Sequence, residues 1–276
     1  MKKLLDIFNI LPCIKLILRN RSLLKQMVVR LITARYKGST LGLLWNVIHP
    51  LMMLTIYTFV FSVVFNARWG VQSAADSKGA FAIILFCGMA VFSIFSEAAN
   101  LSATQITGNP NYVKKVLFPL LLLPLSQVLA SFILGLIWVA LLFLGAVFIY
   151  GNISWTMLFL PLIWLPLFLF TLGISCFVSS LTVYFKDTPY ILQVILQVLF
   201  FVTPIFYPIT AVPERLQIFL KVNPLTLMIE ETRKVFLYAQ MPDWNFFVIS
   251  LATGIAVCLL GVAWFNKTQK GFADVL

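Results

Sequence analysis

Six stretches of this chain are apolar and long enough to be read as membrane-crossing segments. The first, 43–65, runs for 23 residues without a Lys, Arg, Asp or Glu. At about 1.5 Å per residue, a helix of that length spans a hydrocarbon core of about 30 Å. Five more follow at about 80–98, 120–150, 153–184, 190–206 and 244–265. The third and fourth exceed the minimum, so tilt or kinks are expected. Pro119, Pro124, Pro161 and Pro166 are the candidate kink points. Composition agrees: 61% of residues are hydrophobic and 11% charged, against about 45–50% and 25% in soluble domains. An ordinary soluble enzyme and a disordered chain are both excluded. A membrane barrel would instead show alternating segments of about ten residues. The predicted fold class is all-α and polytopic, with six transmembrane helices.

An even number of spans puts both ends on one side. Segments 1–42, 99–119, 185–189 and 266–276 would share that side, and they hold fourteen of the twenty Lys and Arg. The opposite segments, 66–79, 151–152 and 207–243, hold six. Basic residues collect on the cytoplasmic side, so both termini are expected there. The net charge of +11 then faces anionic lipid and cytoplasm. Membrane lipid is the expected partner, and nucleic acid is not.

Segment 1–42 reads as a retained cytoplasmic arm. Lys2 and Lys3 before an apolar run imitate a signal peptide, but Asp6, Pro12 and Lys15 interrupt it and no cleavage site follows. Within the arm, Leu24, Met27, Val28 and Leu31 lie at i, i+3, i+4 and i+7, among Arg19, Lys25 and Arg30. That spacing predicts an amphipathic helix in the headgroup plane, which can also offer a surface to a soluble partner. Segment 266–276 reads as a cytoplasmic tail.

Side chains for chemistry are scarce. Ion-coupled transport needs ionisable groups deep in the bundle. Only Glu97, near the cytoplasmic end of span two, and His49, about two turns into span one, come close. Both are expected at the interface or bonded to a neighbouring helix. No Asp-x-Asp and no Gly-Lys dipeptide occurs, so neither a nucleotide-sugar metal site nor a P-loop is present. Glu230 and Glu231 are adjacent on a helix and point about 100° apart, so they do not face each other. Cys13, Cys87, Cys176 and Cys258 are too widely spaced for a metal site and are expected as small buried hydrophobes. No catalytic residue and no metal ligand is assigned. The chain reads as a conduit without its own energy source, and a wide path would require two copies about an axis.

Segment 207–243 is too charged to span yet keeps apolar residues at helical spacing. Pro213 is placed to open one short helix, and Asn223-Pro224 to form the N-cap and first residue of another. Thr203-Pro204 and Tyr207-Pro208 break span five just before it. Two short helices dipping into the outer interface are predicted, with an ordinary extracytoplasmic loop as the alternative. On span one, Tyr57, Phe61 and Phe65 recur at i, i+4 and i+8. Such an aromatic face would suit sugar rings in a wet path, or would serve lipid contact and bundle packing.

Several segments together resemble the membrane subunit of polysaccharide-exporting ATP-binding-cassette transporters, which serve O-antigen, capsule and teichoic acid export. They are Arg35-Tyr36-Lys37-Gly38-Ser39-Thr40-Leu41-Gly42-Leu43-Leu44-Trp45 leading to Pro50-Leu51, Asn111-Tyr112-Val113-Lys114-Lys115 leading to Phe118-Pro119, Tyr184-Phe185-Lys186-Asp187, Thr203-Pro204-Ile205-Phe206-Tyr207-Pro208, and Asn223-Pro224-Leu225 with Arg233. The resemblance covers nearly the whole chain. Lys186 departs from it where an Arg is common, and His49 where Asn is frequent. It implies that the arm with Arg35, Tyr36 and Lys37, and the loop with Asn111, Tyr112, Lys114 and Lys115, couple to a separate ATPase present in two copies. It also implies that Pro204, Tyr207, Pro208, Pro213, Asn223, Pro224 and Arg233 form a periplasmic gate. The implied assembly is a homodimer in a bacterial inner membrane. Its implied cargo is a glycan on a polyprenyl-diphosphate lipid, O-antigen before capsule or teichoic acid. ATP and Mg would sit on the partner. The alternatives are a small-drug or ion exporter of the same fold, and a self-sufficient secondary transporter or channel.

Overall fold

The computed structural model describes residues 10–65, 69, 78–114, 118–151 and 154–276, with the backbone alone at 10–14 and 78. All regular structure among them is helical. In chain order the helices are α1 (Ile10–Arg19), α2 (Arg21–Tyr36), α3 (Trp45–Thr58), α4 (Lys78–Ala103), α5 (Pro110–Val113) and α6 (Leu122–Tyr150). They continue with α7 (Leu160–Tyr184), α8 (Thr188–Val202), α9 (Glu214–Val222), α10 (Pro224–Phe236), α11 (Trp244–Thr268) and α12 (Phe272–Val275).

Five helical stretches are long and apolar enough to cross a membrane: Gly42–Val64, Gly79–Ala103, Leu122–Tyr150, Trp155–Tyr184 and Trp244–Val275. They correspond to expected spans one, two, three, four and six. The fifth differs. Helix α8 has 15 residues, about 22 Å of rise, and ends at Val202 rather than 206. Pro204 explains the early stop, because the residue before a proline is pushed out of the helical region. Thr203 has φ −71° and ψ 138°. Expected span four opened at 153, which lies outside the described residues, as do 1–9 of the arm.

Helix α4 is the centre of the bundle. Ile84, Leu85, Phe86, Cys87 and Val91 are all buried on it, so neighbours cover it on every side. Helices α6 and α7 flank it, and α10 packs across it. Helices α7 and α11 run closest together. A Cβ built on Gly173 would strike the Val257 carbonyl, and one on Gly261 the Gly173 carbonyl. Small residues let backbones meet where apolar burial alone gives no preference over lipid.

The predicted stripe on the arm is real and faces protein. Leu24 and Val28 of α2 are buried in one cluster with Leu122, Leu125 and Ala130 of α6, and Met27 and Leu31 pack at its edge. Asn20 separates α1 from α2. Pro213 precedes α9. Asn223 caps α10, its side-chain oxygen accepting from the Leu225 N–H at 3.1 Å, with Pro224 as first residue. Helix α3 runs into a π-helical turn at Phe59–Val64.

Candidate functional site: two polar clusters and an inner cavity

The arm and the loop after α4 form one unit. Arg30 of α2 donates to the Tyr112 hydroxyl at 2.9 Å and to the Asn109 side-chain oxygen at 3.5 Å. Tyr112 stacks on Phe118 with ring centroids 4.4 Å apart. Asn111 and Lys114 on this loop, and Lys37 just past α2, are exposed. Lys115 lies outside the described residues. Arg30→Glu is expected to free the loop. Amide exchange at 109–114 should rise several-fold while the melting temperature barely moves, because surface pairs contribute about 1 kcal/mol or less.

Arg35 does something different. Both its terminal nitrogens bond Glu97 of α4, the second at 3.0 Å. The pair ties the end of the arm to the centre of the bundle. Glu97 therefore bonds a neighbouring helix, one of the two placements its position predicted. Tyr36 is half-buried, and its hydroxyl has no hydrogen-bond partner. Burial pushes that hydroxyl up from its ordinary pKa, against the opposing pull of Arg35, so it stays protonated near neutral pH.

Arg35, Tyr36 and Glu97 border a cavity of about 640 Å³ that reaches between α3, α4 and α8. His49, Gln193 and Gln197 also line it. The sequence reading singled out His49 and Glu97 but missed the two glutamines, although their i, i+4 spacing on an apolar helix was visible. Asn46, at the base, donates to the Leu134 carbonyl at 3.2 Å and ties α3 to α6.

The second cluster lies at the other end of the bundle. Arg233 of α10 has no solvent exposure at all. Its guanidinium donates to the carbonyls of Pro204 at 2.8 Å, Ile205 at 3.1 Å and Ile84 at 3.3 Å, and to Glu230 at 2.7 Å. It also lies 4.6 Å from the Trp69 ring centre. Gly88 makes the space, since a Cβ there would sit 2.8 Å from a guanidinium nitrogen. One side chain thus joins α10, α4 and the unwound turn after α8. Asn223 reaches the same turn, donating to the Thr203 hydroxyl at 3.0 Å. Tyr207 closes it by donating to the carbonyls of Phe201 and Val202. Pro204, Tyr207, Asn223, Pro224 and Arg233 therefore come together, while Pro208 and Pro213 sit at the start of the following segment. Glu230 and Glu231 indeed diverge: the first pairs with Arg233, and the second with Lys234 at 2.7 Å.

The aromatic row of α3 turns partly inward. Phe61 stacks on Phe206 at 4.6 Å, and Tyr57 meets Phe206 at 5.1 Å and Phe200 at 5.9 Å. Phe65 alone remains 67% exposed. Tyr57 and Phe61 thus touch rings of α8 and of the turn after it. No group of three His, Cys, Asp or Glu among the described residues could hold a metal ion.

Residues 22–237 match the ABC-2 type transporter family. The chain is 31% identical over 247 residues to an O-antigen export system permease protein RfbA of Klebsiella pneumoniae, covering 88% of this chain and 90% of that one. A protein of the same name from Myxococcus xanthus is 27% identical over 260 residues, 92% of this chain and 95% of that one. The polysialic acid transport protein KpsM of Escherichia coli is 27% identical over 226 residues, 78% and 80% of the two chains.

Proposed function

Because the chain belongs to the ABC-2 type transporter family, we propose that it is the permease subunit of an ATP-driven exporter of lipid-linked polysaccharide, with O-antigen on a polyprenyl-diphosphate carrier as its cargo. The observation that carries the cargo is similarity to O-antigen export permeases along about nine-tenths of both chains. Similarity to KpsM favours a capsule glycan as the second reading.

In this reading the chain crosses the inner membrane six times, α8 being the short fifth crossing, with both termini in the cytoplasm. Two copies enclose the path. A separate ATPase, in two copies, binds ATP and Mg and rests on the face formed by α2 and α5. The exposed Lys37, Asn111 and Lys114 support that docking, as does the Arg30–Tyr112 bond that makes arm and loop one body. Movement of that body would reach α4 through Arg35–Glu97. The segment from Pro204 to Arg233 then serves as the outer gate, held by the Arg233 cluster. Coupling requires contacts that differ between two states, and these two clusters are the candidates.

Deleting the gene in the source strain is the test. Lipid-linked glycan should accumulate on the cytoplasmic leaflet, and the intact gene with its ATPase should restore surface glycan. Normal surface glycan without the gene, or translocation into vesicles by this protein with no ATPase, would refute the proposal.

A further inference from the structure

We infer that the segment after α11 is a clasp for the loop that carries α5, and that Phe272 is the positioning residue through which it acts. The inference rests on the export reading above, in which the ATPase meets α2 and α5, and adds what holds that surface in place.

The last turns of the chain are not self-supporting. Helix α12 has four residues, and an isolated helix shorter than about 12 residues is marginal in water. The carbonyls that end α11 lack helical partners of their own. Tyr184, the last residue of α7, supplies one of them, donating its hydroxyl to the Thr268 carbonyl at 2.8 Å. The same hydroxyl oxygen lies 2.8 Å from the place a Cβ on Gly271 would take. The chain therefore turns back close against this phenol, and a side chain at 271 would push it off.

The reversal delivers one ring. Phe272 is the buried residue of α12 and has no solvent exposure, while Ala273, Asp274 and Val275 are exposed. Its ring meets Phe265 edge-on at 5.6 Å and Tyr184 at 6.0 Å. An enclosed aromatic ring carries most of the apolar surface that so short a segment can bury. The segment is thus anchored at one point.

That point lies in the cluster under the loop. Phe272 shares the cluster with Ile106 and Val113 of the loop after α4 and with Val183 of α7, and Met27 of the arm packs at its edge. The loop has little else to fix it. Helix α5 is a single turn. Polar bonds hold its rim, from Arg30 of the arm to Tyr112 and from Gln105 to Gln127 of α6 at 3.0 Å. Its apolar side rests on the cluster, with Ile106 fully buried and Val113 nearly so. Truncating the ring at 272 leaves a void that loop and arm can relax into. The centre of the bundle around α4 belongs to a separate cluster and keeps its contacts. Local opening of the loop should follow, at little cost to the spans.

The test uses the full-length protein in lipid nanodiscs, alone and with the ATPase expressed with it from the source strain. Phe272→Ala should speed amide exchange at 104–114 about tenfold or more. It should also raise several-fold the ATPase concentration that gives half-maximal stimulation of ATP hydrolysis, with the rate at saturation near wild type. Phe272→Leu, which refills most of the space, should restore both. Leu142→Ala opens a cavity on α6 in the central cluster. It should lower the melting temperature at least as much, yet leave loop exchange and half-saturation unchanged. If Phe272→Ala does not fold, Tyr184→Phe decides. It loses the bond to Thr268 and keeps the ring, and exchange should rise together at 269–276 and 104–114. A loop that stays protected in Phe272→Ala, or in Tyr184→Phe once the tail has frayed, would overturn the inference. The double variant Lys267→Gln, Lys270→Gln removes exposed charges of the tail and should change neither readout. Weaker stimulation with a protected loop there would also overturn it, by showing that the tail touches the ATPase itself. If the wild-type protein stimulates no ATPase, the export reading fails, while the exchange measurements on the protein alone still decide the clasp.

Discussion

Arg233→Leu should abolish export and leave little folded protein in the membrane. The guanidinium is fully enclosed, and it is the shared donor for three backbone carbonyls on two separate parts of the chain. The Pro204 and Ile205 carbonyls lie just past the end of α8, where the helix has no further turn to satisfy them. Removing the guanidinium strands those oxygens and leaves the Glu230 carboxylate without its cation. Losing one partner of a buried charged network costs about 3–5 kcal/mol, a large share of the stability of any domain. Arg233→Lys should not rescue, because one ammonium cannot reach Ile84, Pro204, Ile205 and Glu230 from one position. Glu230→Gln keeps every backbone contact and should remain folded with a milder export defect. The measurements are surface glycan and the melting temperature of the purified protein. Export near normal in Arg233→Leu would show that the turn after α8 holds itself.

The second large effect is expected from Gly261→Val. Helices α7 and α11 touch through backbone at Gly173 and Gly261, and the carbonyl of Gly173 occupies the place a Cβ at 261 would take. Neither side of that contact can move without moving a whole helix. Overpacking against adjustable side chains costs about 1–3 kcal/mol, and here the obstacle is main chain, so the cost should exceed that range. The expected outcome is loss of folded protein, with Gly261→Ala intermediate. Gly145→Ala is the matched control. A Cβ there would meet the Ile83 side chain alone, its terminal methyl at 2.5 Å, which a rotamer change can withdraw. Thermal unfolding in nanodiscs should order the variants as Gly145→Ala, Gly261→Ala and Gly261→Val, from most to least stable. Equal stability of the first and last would mean that the two helices are held apart by other contacts.

Much of the architecture was legible in order along the chain. Charge-free blocks long enough to cross a bilayer declared themselves, because hydrocarbon tolerates almost nothing else. The Asn223-Pro224 cap was readable because capping is decided by neighbours in sequence. The stripe of Leu24, Met27, Val28 and Leu31 announced a helix with one buried side. What covers that side was not readable: lipid and α6 are equally apolar, and periodicity reports only that something apolar is there. The end of span five was misplaced by a few residues for a related reason. Apolar residues continue through Phe206 although the helix stops at Val202, and composition registers hydrophobicity while Pro204 governs the backbone. Phe206 instead turns back to cover Tyr57 and Phe61.

The amino-acid order by itself determined that the chain lives in a membrane and which of its blocks are long and apolar enough to cross one. These are additive or local properties, each set by residues close together in sequence. Tertiary structure alone decided the partners of Arg35 and Arg233. A charge in sequence has no direction, so the sequence names neither partner. Glu97 lies 62 positions from Arg35, and Ile84 lies 149 from Arg233. Only the packing of the bundle brings such groups within hydrogen-bond reach. There, the high cost of an unpaired charge or carbonyl away from water allows each of them very few arrangements.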